Sequence, residues 1–253
     1  MEGFGMGMKY LNHKLLCILV LTLAVAAQAV AQTNPTTAQG FLERGNRFFN
    51  QGDYDRAIAD YDQAIRLNPN FADVYNNRGN AYSDRGNYDR AIADYDQAIR
   101  LNPNHADAYY NRGSEYNDIG DYDRAIADYD QAIRLNPNDA DAYVNRGIAY
   151  RAKGDNDRAI ADYDQAIRLN PNDAFAYNNR GIVYYYKGDN DRAIADYDQA
   201  IRLSPNFAAA YVNRGIAFHD KGDNDRAIAD FEAALRINPN HVDARRNLDI
   251  LRR

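Results

Sequence analysis

Apolar and polar positions along this chain follow a helical rhythm that restarts every thirty-four residues. The string DRAIADYDQAIRLNPN begins at Asp55, Asp89, Asp123 and Asp157. It recurs from Asp191 with Ser204 in place of Asn, and from Asp225 as DRAIADFEAALRINPN. In the second unit the pattern predicts one helix over Ala72–Asp84 and another over Tyr88–Leu101. Gly86 breaks the chain between them, Asn87 caps the second helix, and Pro103 stops it. The same punctuation returns at Gly52/Pro69, Gly120/Pro137, Gly154/Pro171, Gly188/Pro205 and Gly222/Pro239. Turns this short make the two helices of a unit antiparallel neighbours. A unit of this size cannot bury its own apolar face, so a fixed period implies a solenoid stabilised by stacking.

Six units are expected, over 38–71, 72–105, 106–139, 140–173, 174–207 and 208–241. Residues 242–253 begin a seventh first helix without its partner. Four arginines there make it a solubilising cap, which solenoid ends require. Residues 32–37 (QTNPTT) read as a flexible lead-in.

Residues 1–31 break the pattern. Lys9, His13 and Lys14 precede the uncharged run from Leu15 to Ala27, and Ala29-Val30-Ala31 ends the segment. A basic front, apolar middle and A-x-A end predict a secretory signal peptide, with an uncleaved anchor as the alternative and then the only membrane contact. Export to a bacterial envelope, periplasmic or secreted, is the expected location. The one cysteine, Cys17, lies inside this segment, so no disulfide supports the exported part. The net charge of −6 argues against nucleic acid as a ligand.

The repeat positions resemble the tetratricopeptide repeat (TPR) pattern of aromatic, Gly, aromatic, Ala, aromatic, Ala and Pro. The second unit supplies Tyr75, Gly79, Tyr82, Ala91, Tyr95, Ala98 and Pro103; the fourth supplies Tyr143, Gly147, Tyr150, Ala159, Tyr163, Ala166 and Pro171. The resemblance implies an all-α, right-handed superhelical α-solenoid of antiparallel helix pairs, with first helices lining a concave groove. Glycine and alanine then mark close helix approaches, and the tyrosines fill space between layers. One departure recurs in every unit. Arg44, Arg78, Arg112, Arg146, Arg180 and Arg214 stand before the glycine, where the family commonly has Leu. Pairing with the many Asp of the second helices is the expected role, and a ligand contact the alternative.

No residue set suggests catalysis, a cofactor or a metal. Apart from the signal segment, the chain has three histidines (His105, His219 and His241), expected in surface turns, and no Gly-rich phosphate loop. Binding of a protein or peptide partner is the function the fold implies, with self-association as a structural alternative. The near-identical second helices are a scaffold, and the varied first helices can discriminate between ligands. Asn77, Asn111, Asn145, Asn179 and Asn213 recur at one groove position, similar to the asparagine ladder of TPR grooves that hold extended peptides. A carboxamide offers both a donor and an acceptor to a peptide amide; equally, it can bond a neighbouring helix. Asp73, Asp107 and Asp141 on the early first helices predict attraction for a basic segment. Phe175, Tyr185 and Tyr186 on the later ones predict an apolar or aromatic subsite. Asn76, Tyr110 and Val144 stand where a lysine of the chaperone-tail clamp would lie, so an acidic tail is not the expected ligand.

Overall fold

The computed structural model describes residues 35–252; the expected signal peptide and most of the lead-in lie outside them. The described residues hold 13 helices and no strand. They fall into two compact units, within Met1–Pro69 and Asn70–Arg253. The first contains α1 (Ala38–Asn50) and α2 (Tyr54–Leu67), packed against each other. The second contains five helix pairs: α3 (Ala72–Asp84) with α4 (Tyr88–Leu101), α5 (Ala106–Asp118) with α6 (Tyr122–Leu135), α7 (Ala140–Ala152) with α8 (Asn156–Leu169), α9 (Ala174–Tyr186) with α10 (Asn190–Leu203), and α11 (Ala208–Asp220) with α12 (Asn224–Ile237). The closing helix is α13 (Val242–Leu251). None of these helices is long and apolar enough to cross a membrane.

Local chemistry fixes each boundary. Asp121, Asp155, Asp189 and Asp223 accept the amide of the residue three positions on, capping α6, α8, α10 and α12. The amide and guanidinium of Arg158 hold the Asp155 carboxyl below the usual carboxylate range. Gly86 and its equivalents have φ near +75°, from 73° at Gly86 to 82° at Gly222. That backbone turn between the helices of a pair favours a residue without a Cβ.

Packing is repeated like the sequence. Ala91, Tyr95 and Ala98 on α4 are buried, as are Ala125, Tyr129 and Ala132 on α6. Each buried ring lies on the glycine of its partner helix: a Cβ on Gly79 would stand 2.6 Å from the Tyr95 ring, and one on Gly147 would stand 2.8 Å from the Tyr163 ring. The glycine is therefore a contact surface.

The recurring arginines pair as expected. Arg112 binds Asp128 of its own pair through both Nε (2.8 Å) and Nη2 (2.6 Å), and reaches back to Asp96 of the preceding pair with Nη1 (2.5 Å). Arg146, Arg180 and Arg214 repeat this, each pinning one layer to the next. Burial works against the charge on Arg112, but the two carboxylates more than offset it, and its pKa moves up.

In Asn70–Arg253 successive first helices touch one another, whereas successive second helices touch only first helices. Rods that approach more closely on one side bend the stack toward that side. The first helices therefore form the concave wall and the near-identical second helices the back.

Candidate functional site

The inner wall has three levels, set by position along each first helix. Asp73, Asp107, Asp141 and Phe175 occupy the first turn. The asparagine ladder runs through the middle, and Tyr185 and Tyr186 lie in the last turn of α9. At 1.5 Å per residue, Phe175 and Tyr186 are ~17 Å apart along their helix. The predicted site residues thus separate onto two opposite edges of the groove, with the ladder between them.

The ladder is tied into the wall. Asn111 Nδ2 donates to Asn76 Oδ1 at 3.0 Å, Asn145 Nδ2 to the Tyr110 hydroxyl at 2.8 Å, and Asn213 Nδ2 to Asn178 Oδ1 at 2.9 Å. Each bond crosses to the preceding first helix. At the fourth rung the facing residue is Val144, which accepts nothing, and the Asn179 carboxamide forms no side-chain hydrogen bond. Asn77 is hydrogen-bonded to its neighbour Asn76. Each tied asparagine still has an N–H and its own carbonyl oxygen for a further partner.

Between α5, α7 and α9 the first-turn edge opens into a recess of about 500 Å³, lined by Tyr110, Asp141, Val144, Asn145 and Phe175 among others. Phe175 is 64% exposed and lies against the Phe207 ring, with centroids 4.8 Å apart. Asp141 is also exposed, and its pKa is raised by partial burial and by Asp139 and Asp173 nearby. Asp139 and Asp173 are helix caps, bonded to the amides of Ala142 and Ala176 at 3.2 Å each. The rim is therefore acidic and the floor part apolar.

His105 lies in the turn before α5 as expected, but its side chain is tucked in, 10% exposed with Nε2 3.2 Å from Asp73 Oδ1. Among the described residues no three His, Cys, Asp or Glu side chains are grouped to hold a metal ion. Several apolar residues of the first helices serve as packing. Val144 and Val212 are buried, and Ile148, Ile182 and Ile216 pack against core clusters. Asn80 accepts the Tyr95 hydroxyl at 2.8 Å, which commits it to the core.

At the last-turn edge the Tyr185 hydroxyl donates to Asp220 Oδ2 of α11 at 2.7 Å. That bond and burial push the tyrosine up to about 12. Tyr186 is 70% exposed and packs edge-on against Tyr185. The sequence reading missed Glu115 on α5, which is 4% exposed with Oε2 lacking a partner. Its equivalents in Asn70–Arg253 are Ala81, Ala149, Val183 and Ala217. Aligning the units on their glycines would have singled it out.

Comparison with known proteins matches this architecture. Tetratricopeptide repeat profiles match residues 72–105, 110–174 and 178–242, and a TPR repeat profile matches 45–84. No curated protein sequence matches the chain. Among solved structures, YrrB, described as a TPR protein with an unusual peptide-binding site, is 27% identical with a TM-score of 0.61, covering 74% of this chain and 96% of its own. MamA is 32% identical with a TM-score of 0.60, over 64% of this chain and 94% of its own. A tetratricopeptide repeat protein of Parabacteroides merdae is 26% identical with a TM-score of 0.64, over 87% of this chain and 86% of its own. Such folds bind protein or peptide partners and are typically non-catalytic interaction scaffolds. With repeat profiles spanning most of its length, stacked helix pairs and these structural neighbours, the chain belongs to the tetratricopeptide repeat family.

Proposed function

We propose that this protein is a non-catalytic scaffold of the bacterial envelope that holds an extended segment of a partner protein along its inner wall. The observation that carries this reading is the recess between α5, α7 and α9, where exposed Phe175, exposed Asp141 and the ladder asparagine Asn145 meet. An extended chain offers an amide every residue, and the unused hydrogen-bonding capacity of the ladder suits it. Phe175 supplies an apolar anchor and Asp141 favours a basic neighbour. YrrB, described as having an unusual peptide-binding site, supports the reading by likeness. Export rests on residues 1–31, and fractionation of source cells tests it.

The binding test uses Asn179 and Phe175, because Asn111 and Asn145 also hold the stack. A photo-crosslinking residue at Tyr186, across the groove, reports contact in source cells. The wild-type background should give discrete adducts by mass spectrometry, and the double variant Asn179→Ala/Phe175→Ala should lose them with its helical content intact. An unchanged adduct pattern in the double variant would sink the reading.

Self-association is the second reading. It is favoured by α13, which leaves Val242 and Ile250 exposed, at 74% and 58%, around a recess of about 600 Å³. Light scattering that grows with concentration, and falls on Val242→Ser/Ile250→Ser, would support it.

A further inference from the structure

Buried acids in Asn70–Arg253 obey one rule with one exception. Asp94, Asp128, Asp162, Asp196 and Asp230 are 5–6% exposed, and each receives a two-pronged arginine. Glu115 is 4% exposed and receives none. Around it, α3 brings the Ser83 hydroxyl and the Asp84 carboxylate, α4 brings Tyr95, and its own helix adds Asp118. From α6 the Tyr129 hydroxyl comes near Asp118. The basic residue on the same turn of α7, Arg151, lies against Tyr163 instead. Burial pushes the Glu115 carboxyl up, and Asp118 and Asp84 push it further.

One of these deeply buried polar atoms lacks any hydrogen-bond partner, Glu115 Oε2, whereas the Tyr129 hydroxyl lies against Ser114. Such groups cost stability, and four equivalent positions show that Ala or Val suffices for stacking. Asp84 and Asp118 stand exposed beside Glu115 at the last-turn edge. Three carboxyl groups without a countercharge make a negative mouth that attracts a cation. They are not grouped as a metal would require.

We propose that Glu115, with Asp84 and Asp118 at its mouth, is the receptor for one cationic side chain, a lysine or arginine, of the segment held in the groove. The proposal rests on the groove reading and specifies the chemistry of one ligand residue. The cation enters between Asp84 and Asp118, supplies donors to the Glu115 carboxylate, and removes the repulsion among the three acids. The cost of the unpaired acid in the free protein is then recovered on binding.

The probes are a short alternating serine–lysine peptide and its twin with homocitrulline, which keeps the stem and loses the charge. Binding is read by fluorescence anisotropy on the full protein as exported. The wild type should bind the lysine peptide at least about tenfold tighter than the twin. Glu115→Ala should erase that preference while melting at the same temperature as the wild type or higher, which excludes unfolding. Asp107→Asn, at the opposite edge, should keep most of it. The proposal is overturned if Glu115→Ala keeps the preference, if Asp107→Asn lowers it equally, or if the wild type shows none. If the twin still binds and Asn179→Ala/Phe175→Ala weakens it, the groove stands without the receptor. If the lysine preference depends on Glu115 but neither peptide responds to Asn179→Ala/Phe175→Ala, the receptor stands without the groove.

Discussion

Asp128 on the back of the stack and Glu115 on its inner wall are both acids, 5% and 4% exposed, and the fold treats them oppositely. Asp128 meets Arg112, which also binds Asp96 one layer back. Glu115 meets Ser83 and two more acids. The first arrangement recurs in later layers and fixes the stacking; the second occurs once. In a repeat protein a buried charge with a repeated partner is architecture. A buried charge without one, at a position where the other units of Asn70–Arg253 carry Ala or Val, has to be explained by something the protein does.

The comparison breaks first at the pins. Arg146→Ala leaves Asp162 buried without a partner, and should destabilise by about 3 kcal/mol in urea denaturation. A loss below ~1 kcal/mol would place the pins among ordinary surface ion pairs. Next come the glycine contacts. Alanine favours a helix over glycine by about 1 kcal/mol, yet Gly147→Ala drives a methyl against the Tyr163 ring. A net loss of about 2 kcal/mol is expected from the forced shift, measured the same way.

Glu115 should respond with the opposite sign. Its pKa is raised in the fold, so the neutral acid is the form that folding favours. Below its ordinary value, about 4.3, the acid is neutral in both folded and unfolded chains and costs nothing as a charge. As pH rises through the raised folded pKa, ionisation is resisted in the fold and stability is lost. Glu115→Gln should therefore melt like the wild type in acid and above it at neutral pH, by about 1 kcal/mol. Calorimetry across that range checks the crossover; a constant offset would deny it. The smallest effect sharpens the ladder. Asn145→Ala removes a bond to Tyr110 and should cost about 0.5 kcal/mol more than Asn179→Ala, which removes none. Equal melting temperatures would mean the tied rungs do not support the stack.

Much of this was legible because the units are nearly copies. The helices expected over Ala72–Asp84 and Tyr88–Leu101 have those bounds, and the arginine pairing follows from an unvarying Arg opposite unvarying Asp. The site was less legible. Asn80 accepts the Tyr95 hydroxyl, and Val144 and Val212 close the core, although all three lie on the varied first helices assigned to the groove. Side chains on an inner wall face the groove or the next helix according to a rotation too small for a helical pattern to resolve. Glu115 was hidden because acids are common here and usually solvated; only burial separates it from Asp118, three residues on.

Sequence alone determined the period, the paired helices, their caps and stops, and the glycine approaches, because each depends on residues close in the chain or repeated at a fixed interval. Tertiary structure decided which face is concave, which ladder asparagines are already engaged, and which acid is buried without a countercharge. Those depend on distances between layers, and identical local strings are compatible with many such distances until the stack forms.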